Sequence, residues 1–403
     1  MYHFTPTQLK VVRAISQKPE NARLLANSRL IILEHILPTT EEFVKTLCAS
    51  GAEVFAIVAK PYSKDFKVLR RLRKSKFKIV DESYKTLEQI GPLDKIISQA
   101  IAKSRTDQKL IAVIDVGGYF AAPLSRVEPG IMSHFAGVVE DTTFGHNRYA
   151  NLMSQLAEKG NRKRLRFPVM TVARSELKEI EAQFVGRDAV QAMDRILRDL
   201  GISITGRNAL VIGFGMIGKN VAKTLRNYDL NVYVYDIEDR KLLRAFNEGY
   251  HIHKKVILLR HADVIFSATG SEAIYYRPAL NFQEIEDCKN GVILASVGSK
   301  NTEFDVASLD DFAKKIKLSS HLDKYILPNS KYIILANKGT AVNFTLPSIP
   351  REILDVVFSE ILEGLLALLR RECAPGMLNF SKPGTMNNIS KAWLRVVNME
   401  AQA

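Results

Sequence analysis

Apolar residues in the first part of the chain fall in short runs, not in one long stretch. Leu30-Ile31-Ile32-Leu33, Glu53 to Val58 (EVFAIV) and Leu110 to Val116 (LIAVIDV) have the length and composition of buried strands. Between the first two, Pro38-Thr39-Thr40-Glu41-Glu42 reads as a helix start. Strand, helix and strand in this rhythm predict a parallel sheet covered on both faces. Farther on, Gly186-Arg187-Asp188 is expected to open a helix with Val190, Met193, Ile196, Leu197 and Leu200 on one face, stopping at Gly201. Strands are then predicted at Ala209 to Ile212, Val232 to Tyr235, Val264 to Phe266, Val292 to Val297 and Ile333 to Leu335. After Asn343 the pattern becomes a long apolar helix, Ile353 to Arg370, followed by a polar tail. The expected organisation is a first α/β domain over 1–186, a second over 187–345, and a C-terminal helix and tail over 346–403 that pack back on the first.

Composition agrees with that scale. The 403 residues, 46% hydrophobic and 25% charged, suffice for two packed domains. Cys48, Cys288 and Cys373 are too few and too scattered for a disulfide framework or a four-thiolate zinc site, so a reducing compartment is expected. Met1-Tyr2-His3-Phe4-Thr5 lacks the basic start and apolar run of a signal peptide. The longest apolar stretch, Leu362 to Leu369, is about half what a membrane span needs. A cytoplasmic protein with no membrane partner is the expectation. The formal charge of +14 is concentrated in Lys67 to Lys78 and Lys159 to Arg166. Neither run interleaves aromatics as a base-stacking surface would, so they are read as solvated basic faces, with no nucleic-acid partner. His251-x-His253 is better explained by alternation on a strand than by a metal, because no third ligand lies nearby, and no metal is expected.

The most specific motif is Gly213-Phe214-Gly215-Met216-Ile217-Gly218. It follows the apolar strand at Ala209 to Ile212 and opens a helix, Lys219 to Tyr228. The next strand ends on Asp236, 23 residues past Gly213. Each glycine has a task in a dinucleotide turn: the first bends tightly, the second admits the pyrophosphate, and the third lets helix pack on strand. The helix start supplies amide donors to the phosphates. Asp236 would accept from the adenosine ribose hydroxyls and repel a 2′-phosphate, which favours NAD over NADP; Arg240, four residues on, is the one feature that would tolerate a phosphate. The fold class is therefore α/β: a Rossmann-type NAD-binding domain paired with a second α/β, parallel-sheet substrate domain.

With the first domain read alongside this turn, the chain resembles the adenosylhomocysteinase (S-adenosylhomocysteine hydrolase) family. His35 followed by Thr39-Thr40 and Gly51-Ala52-Glu53-Val54 is similar to that family's His-Met-Thr…Gly-Ala-Glu-Val segment. Asp115-Val116-Gly117-Gly118 resembles its Asp-Asp-Gly-Gly turn, and Glu140-Asp141-Thr142-Thr143-Phe144-Gly145 its Glu-Glu-Thr-Thr-Thr-Gly motif. Ser175 and Lys178 match the segment carrying the family's catalytic lysine, and Glu248-Gly249-Tyr250 recurs after the ribose acid. The resemblance implies that Thr142, Thr143, Thr269, Gly270 and Asn343 join Gly213, Gly215, Met216, Ile217, Gly218 and Asp236 in binding NAD. It implies that Lys178, His35 and Asp141 are catalytic. It further implies a hidden redox cycle, in which a ribose 3′-hydroxyl is oxidised, the acidified C4′ proton and the 5′-thiol are eliminated, water adds and the alcohol is restored.

The departures bear on the substrate half. Family carboxylates fall on Val116 and Ala182, asparagines on Gln183 and Ala173, and a histidine on Ser299. A Gly-His-Pro falls near Ile349-Pro350, and the adenine-holding threonine and glutamate fall on Leu37 and Thr39. Losing one member of an acid–base set typically lowers rate about 10²–10⁴-fold. The expected function is oxidation of a secondary alcohol with bound NAD, on a small and possibly nucleoside-like molecule, in a changed substrate pocket. The alternatives are a catalytically silent NAD-binding regulator or sensor and, more distantly, a basic nucleic-acid-associated protein. The resemblance and the apolar helix Ile353 to Leu369 imply a homo-oligomer, a dimer or tetramer.

Overall fold

Seven strands of the first unit form one parallel sheet in the order β3-β2-β1-β4-β5-β6-β15: β1 Ser28–Ile36, β2 Glu53–Lys64, β3 Lys78–Val80, β4 Leu110–Asp115, β5 Phe135–Glu140, β6 Val169–Thr171 and β15 Leu378–Phe380. The computed structural model describes residues 8–75, 77–158, 165–270, 277–298, 300–346 and 349–402. The order reverses between β1 and β4, and such a switch point opens a crevice at the carboxyl ends of the strands. Each face of the sheet is covered. Leu30, Ile32 and Ile114 pack on one side with the C-terminal helix Arg351–Leu369, and Ile31, Val113 and Val138 pack on the other with Ile96, Ile97 and Tyr149. Such strands, buried on both faces, read as continuous Val/Ile/Leu runs instead of alternating ones.

The second unit, Glu179 to Ile349, carries a mixed sheet, β12-β13-β14-β11-β10-β7-β8-β9. Its strands are β7 Asn208–Ile212, β8 Asn231–Tyr235, β9 His251–Ile252, β10 Val264–Ser267, β11 Ile293–Ser296, β12 Lys314–Lys317, β13 Leu322–Ile326 and β14 Tyr332–Ala336. From β9 to β14 the strands are parallel in Rossmann order, with the switch point between β7 and β10; β13 and β12 continue the sheet antiparallel.

Three expectations are corrected. The helix predicted to open at Gly186 begins ten residues earlier and runs unbroken over Glu176–Arg198. Gly186 lies inside it because a Cβ there would stand 2.7 Å from the Cβ of Asn220 and 2.8 Å from that residue's carbonyl carbon; the glycine marks a close helix approach, not a helix start. The C-terminal region is not merely a polar tail: Leu378–Phe380 pairs with β6, and Pro383–Gln402 is helical. The apolar helix proposed for self-association is already occupied, since Val357, Phe358, Ile361, Leu362, Leu365 and Leu366 are buried in the first unit's own core.

No helix of the described residues is long and apolar enough to cross a membrane. The basic run starting at Lys67 forms the helix Phe66–Lys74, with Val68, Leu69 and Leu72 buried and Arg71 bonded to Glu41. Most of the second basic run and Ser299 lie outside the described residues.

Candidate active site

In the second unit the glycine turn follows β7. Gly213 takes φ +93°, and its amide donates to the Tyr235 carbonyl at 2.8 Å, joining the turn to the end of β8. A Cβ on Gly218 would overlap the Gly213 carbonyl oxygen, so only glycine lets the helix Met216–Asn227 start this close to the strand. A Cβ on Gly215, by contrast, would meet nothing within 4 Å. That open side lies at the helix N-terminus, whose cap Gly215 supplies no side chain, leaving first-turn amides for a pyrophosphate.

Asp236 closes β8. One carboxylate oxygen accepts the Phe214 amide at 2.7 Å, and the other accepts the Glu238 amide at 2.9 Å. These bonds fix the carboxylate and leave acceptor capacity for a ribose diol. Arg240, the residue that would tolerate a 2′-phosphate, is 93% exposed and pairs loosely with Glu238, at 3.9 Å. The residues present therefore fit NAD.

Thr269 and Gly270 follow β10 at the switch point, and Asn343 is buried in the 3₁₀ turn Val342–Thr345. Sequence reading missed Glu303. This buried carboxylate accepts from the Ser267 hydroxyl, from the Thr269 hydroxyl at 2.8 Å and from the Gly270 amide at 2.8 Å. The Thr269 amide donates to it as well, at 3.1 Å. Thr269 and Gly270 thus direct these donors at Glu303, which shapes the turn.

In the first unit, polar side chains collect at the carboxyl edge of the sheet. Ser175 starts the helix carrying Lys178: its hydroxyl accepts the Lys178 amide at 3.0 Å and donates to Glu360 at 2.7 Å. Lys178 Nζ donates to both oxygens of Asp141, at 2.8 and 2.9 Å, and the two residues are 9% and 8% exposed. His35 closes β1; its ring bonds Ser63 Oγ through Nδ1 and meets the edge of Tyr62 at 5.7 Å. Burial, and then the charges of Lys60 and Lys178, hold its pKa well below the usual histidine value, so the imidazole is neutral.

Glu140 and Asp115 are committed to the backbone. Glu140 accepts from the amides of Gly117, Gly118 and Thr142 and from the Thr142 hydroxyl, at 2.7 to 3.1 Å. Asp115 accepts from the Tyr119 and Phe120 amides and from Tyr149 Oη. Burial raises the pKa of both. Thr142 is therefore tied to Glu140, and Thr143 makes a 3.4 Å bond to the Ala173 carbonyl. Val116 and Ala182 are both buried, Val116 within the apolar cluster on one face of the first unit's sheet. Among the described residues, no group of three His, Cys, Asp or Glu side chains could hold a metal.

Two further side chains, Glu34 and Lys60, lie at this edge without a motif to announce them. The β1–β2 register runs from Glu34 opposite Ala59 to Ile36 opposite Lys64, so β2 advances five residues while β1 advances two. Bulges of this kind re-aim side chains near active sites. Glu34 accepts the His35 amide at 2.7 Å, and burial followed by the Asp141 charge pushes its pKa up to about 8. Burial brings Lys60 down to about 8, against the raising effect of Glu140, Glu34, Asp141 and Asp115.

Comparison with known proteins converges on one family. Residues 183–348 match the family model of the S-adenosyl-L-homocysteine hydrolase NAD-binding domain. An S-inosyl-L-homocysteine hydrolase from Methanopyrus kandleri is 26% identical over 387 residues, 95% of this chain and 86% of the relative. An adenosylhomocysteinase from Sulfurisphaera tokodaii is 28% identical over 347 residues, 86% of this chain and 78% of the relative. A solved phosphoglycerate oxidoreductase from Vibrio cholerae aligns with 85% of this chain and 99% of its own, at 11% identity and a TM-score of 0.48. The glycine turn, the ribose acid and the match along most of the chain make this protein similar to the adenosylhomocysteinases, in the manner of a divergent relative, with an NAD-binding domain over residues 183–348 and NAD as its cofactor.

Proposed function

We propose that the protein hydrolyses a nucleoside thioether of homocysteine by transient oxidation of the ribose 3′-hydroxyl. The observation that carries this reading is the buried Lys178–Asp141 pair beside a neutral His35, in a chain whose other unit has the turn and ribose acid for NAD. NAD, which the glycine turn Gly213–Gly218 and Asp236 would hold, would supply reversible hydride-transfer chemistry. Lys178 Nζ, fixed by two bonds to Asp141, holds and moves the proton of the 3′-oxygen. His35 serves the leaving-sulfur side, where an imidazole kept neutral by burial can hydrogen-bond the departing sulfur without changing its charge. Glu140 positions, through Gly117, Gly118 and Thr142, the backbone around these groups.

The base of the nucleoside is a separate matter. Leu37 and Thr39 stand where the family holds adenine with a threonine and a glutamate. Losing that glutamate removes an acceptor for the exocyclic amine, which weakens the preference for adenine over hypoxanthine. Adding S-adenosylhomocysteine or S-inosylhomocysteine to the NAD-loaded protein is expected to release thiol, with the inosyl compound competing at least equally. Absence of thiol release from both would overturn the assignment.

A further inference from the structure

Lys60 is 1% exposed, and its ammonium has no hydrogen-bond partner among the described residues. It faces the Tyr62 ring at 5.5 Å and lies 3.5 Å from where a Cβ on Gly117 would stand. Glu34 at the end of β1, Asp115 at the end of β4, and Glu140 and Asp141 at the end of β5 surround it. Each of these carboxylates is bonded elsewhere: Glu34 to the His35 amide, Asp115 to Tyr149 and two amides, Glu140 to the glycine turn, and Asp141 to Lys178. His35, whose pKa the Lys60 charge helps lower, Tyr119 and Lys178 also belong to this titratable neighbourhood.

An unpaired buried ammonium is costly, and its removal would by itself favour folding. The bulge in β2 nevertheless delivers it to the sheet edge beside the switch point, where ligands bind in such folds. Whichever of these four carboxyl groups are ionised disfavour an anionic partner, and Asp141 already pairs with Lys178, so the group that completes Lys60 is neutral: a hydroxyl, a carbonyl or an acidic C–H. We propose that Lys60 is the acid–base residue that moves the C4′ proton, an assignment that rests on the nucleoside-thioether reading above.

The free amine of Lys60 takes the C4′ proton next to the C3′ ketone. The electron pair closes a C4′–C5′ double bond, the C5′–S bond breaks, and the ammonium gives its proton to the departing thiolate. In the second half, water adds to C5′ and loses a proton to the amine, and the ammonium returns that proton to C4′. Atoms and charge balance over the cycle. A lysine whose pKa lies at about 8 exchanges protons in this way near neutral pH, and the rate should rise with pH through that value as the amine forms.

The test uses the full NAD-loaded chain, S-inosylhomocysteine or S-adenosylhomocysteine, and deuterated water. Lys60→Met and Lys60→Gln should still form enzyme-bound NADH from the thioether. Incorporation of deuterium at C4′ and release of thiol should both fall about 10²–10⁴-fold. The melting temperature should not fall, because an unpaired buried charge has been removed. Exchange at the wild-type rate would overturn the assignment. So would loss of NADH formation along with exchange, or a fall in melting temperature that Lys60→Arg restores together with activity. A wild-type protein that forms no NADH with either thioether overturns the parent reading and this one with it; normal NADH formation with undiminished exchange in the variants overturns Lys60 alone.

Discussion

Replacing Lys178 with methionine would remove the cation from a pair that is largely out of water. The two Nζ–Oδ distances are 2.8 and 2.9 Å, and both side chains are 11% exposed. Breaking a buried pair by deleting one partner leaves the other charge uncompensated and typically destabilises by about 3–5 kcal/mol, against roughly 0.2–1 kcal/mol for an exposed pair. Low exposure puts Lys178→Met in the first range, whereas Lys178→Met with Asp141→Asn, which leaves no lone charge, should recover most of the loss. The only tryptophan of the chain, Trp393, packs against the same core and donates from Nε1 to the Glu352 carbonyl at 2.9 Å. Its fluorescence therefore reports unfolding of the first unit alone, which matters because a two-unit chain need not unfold in one step. A shift in that transition worth less than about 1 kcal/mol for Lys178→Met, or a double variant no better than the single, would refute the argument that burial makes this pair matter.

Two other perturbations test separate parts of the account. Gly218→Ala drives a methyl into the Gly213 carbonyl and should abolish NAD binding, read as loss of the NAD-dependent rise in melting temperature, while the first unit's tryptophan transition stays in place. Glu34 has a folded pKa of about 8, raised from 4.5; its stabilisation is complete below the unfolded value and is lost as pH rises through the folded one. Stability of the first unit should therefore decline between about pH 4.5 and 8, and Glu34→Gln should flatten that decline; an unchanged slope in the variant would count against a protonated Glu34.

Much of the architecture was legible in the chain because parallel strands buried on both faces leave apolar runs. Strands at Leu30, Leu110, Ala209 and Val264 could be read in that way. The short strands Val169–Thr171 and Leu378–Phe380 could not, because three residues carry no period and their pairing joins segments more than 200 positions apart. Gly186 misled for a related reason: glycine marks both helix ends and close helix contacts, and only the neighbour at Asn220 tells which.

The site divides along similar lines. The glycine turn and Asp236 are local signals, set by one strand, one turn and the next strand. Glu303 and Lys60 are not. A lone glutamate after β11 gives no hint that it gathers the Ser267 hydroxyl and the Thr269 and Gly270 donors. Lys60 follows an apolar run and precedes Pro61, so by composition it marks the end of a strand and a solvated side chain. Only the register slip between β1 and β2 turns it into a buried cation. Asp115 and Glu140 show the converse: both sit in motif-like segments, yet their oxygens serve to hold backbone turns.

The most direct test of the redox reading is isotopic. A nucleoside thioether bearing deuterium at C3′ is mixed with the NAD-loaded protein in a stopped-flow instrument, and reduced cofactor absorbance is followed before product appears. The account predicts a transient absorbance, slower to rise with the deuterated substrate than with the ordinary one, and a hydrolysed nucleoside that has regained its label at C3′. Thiol release with no reduced cofactor and no isotope effect would contradict it.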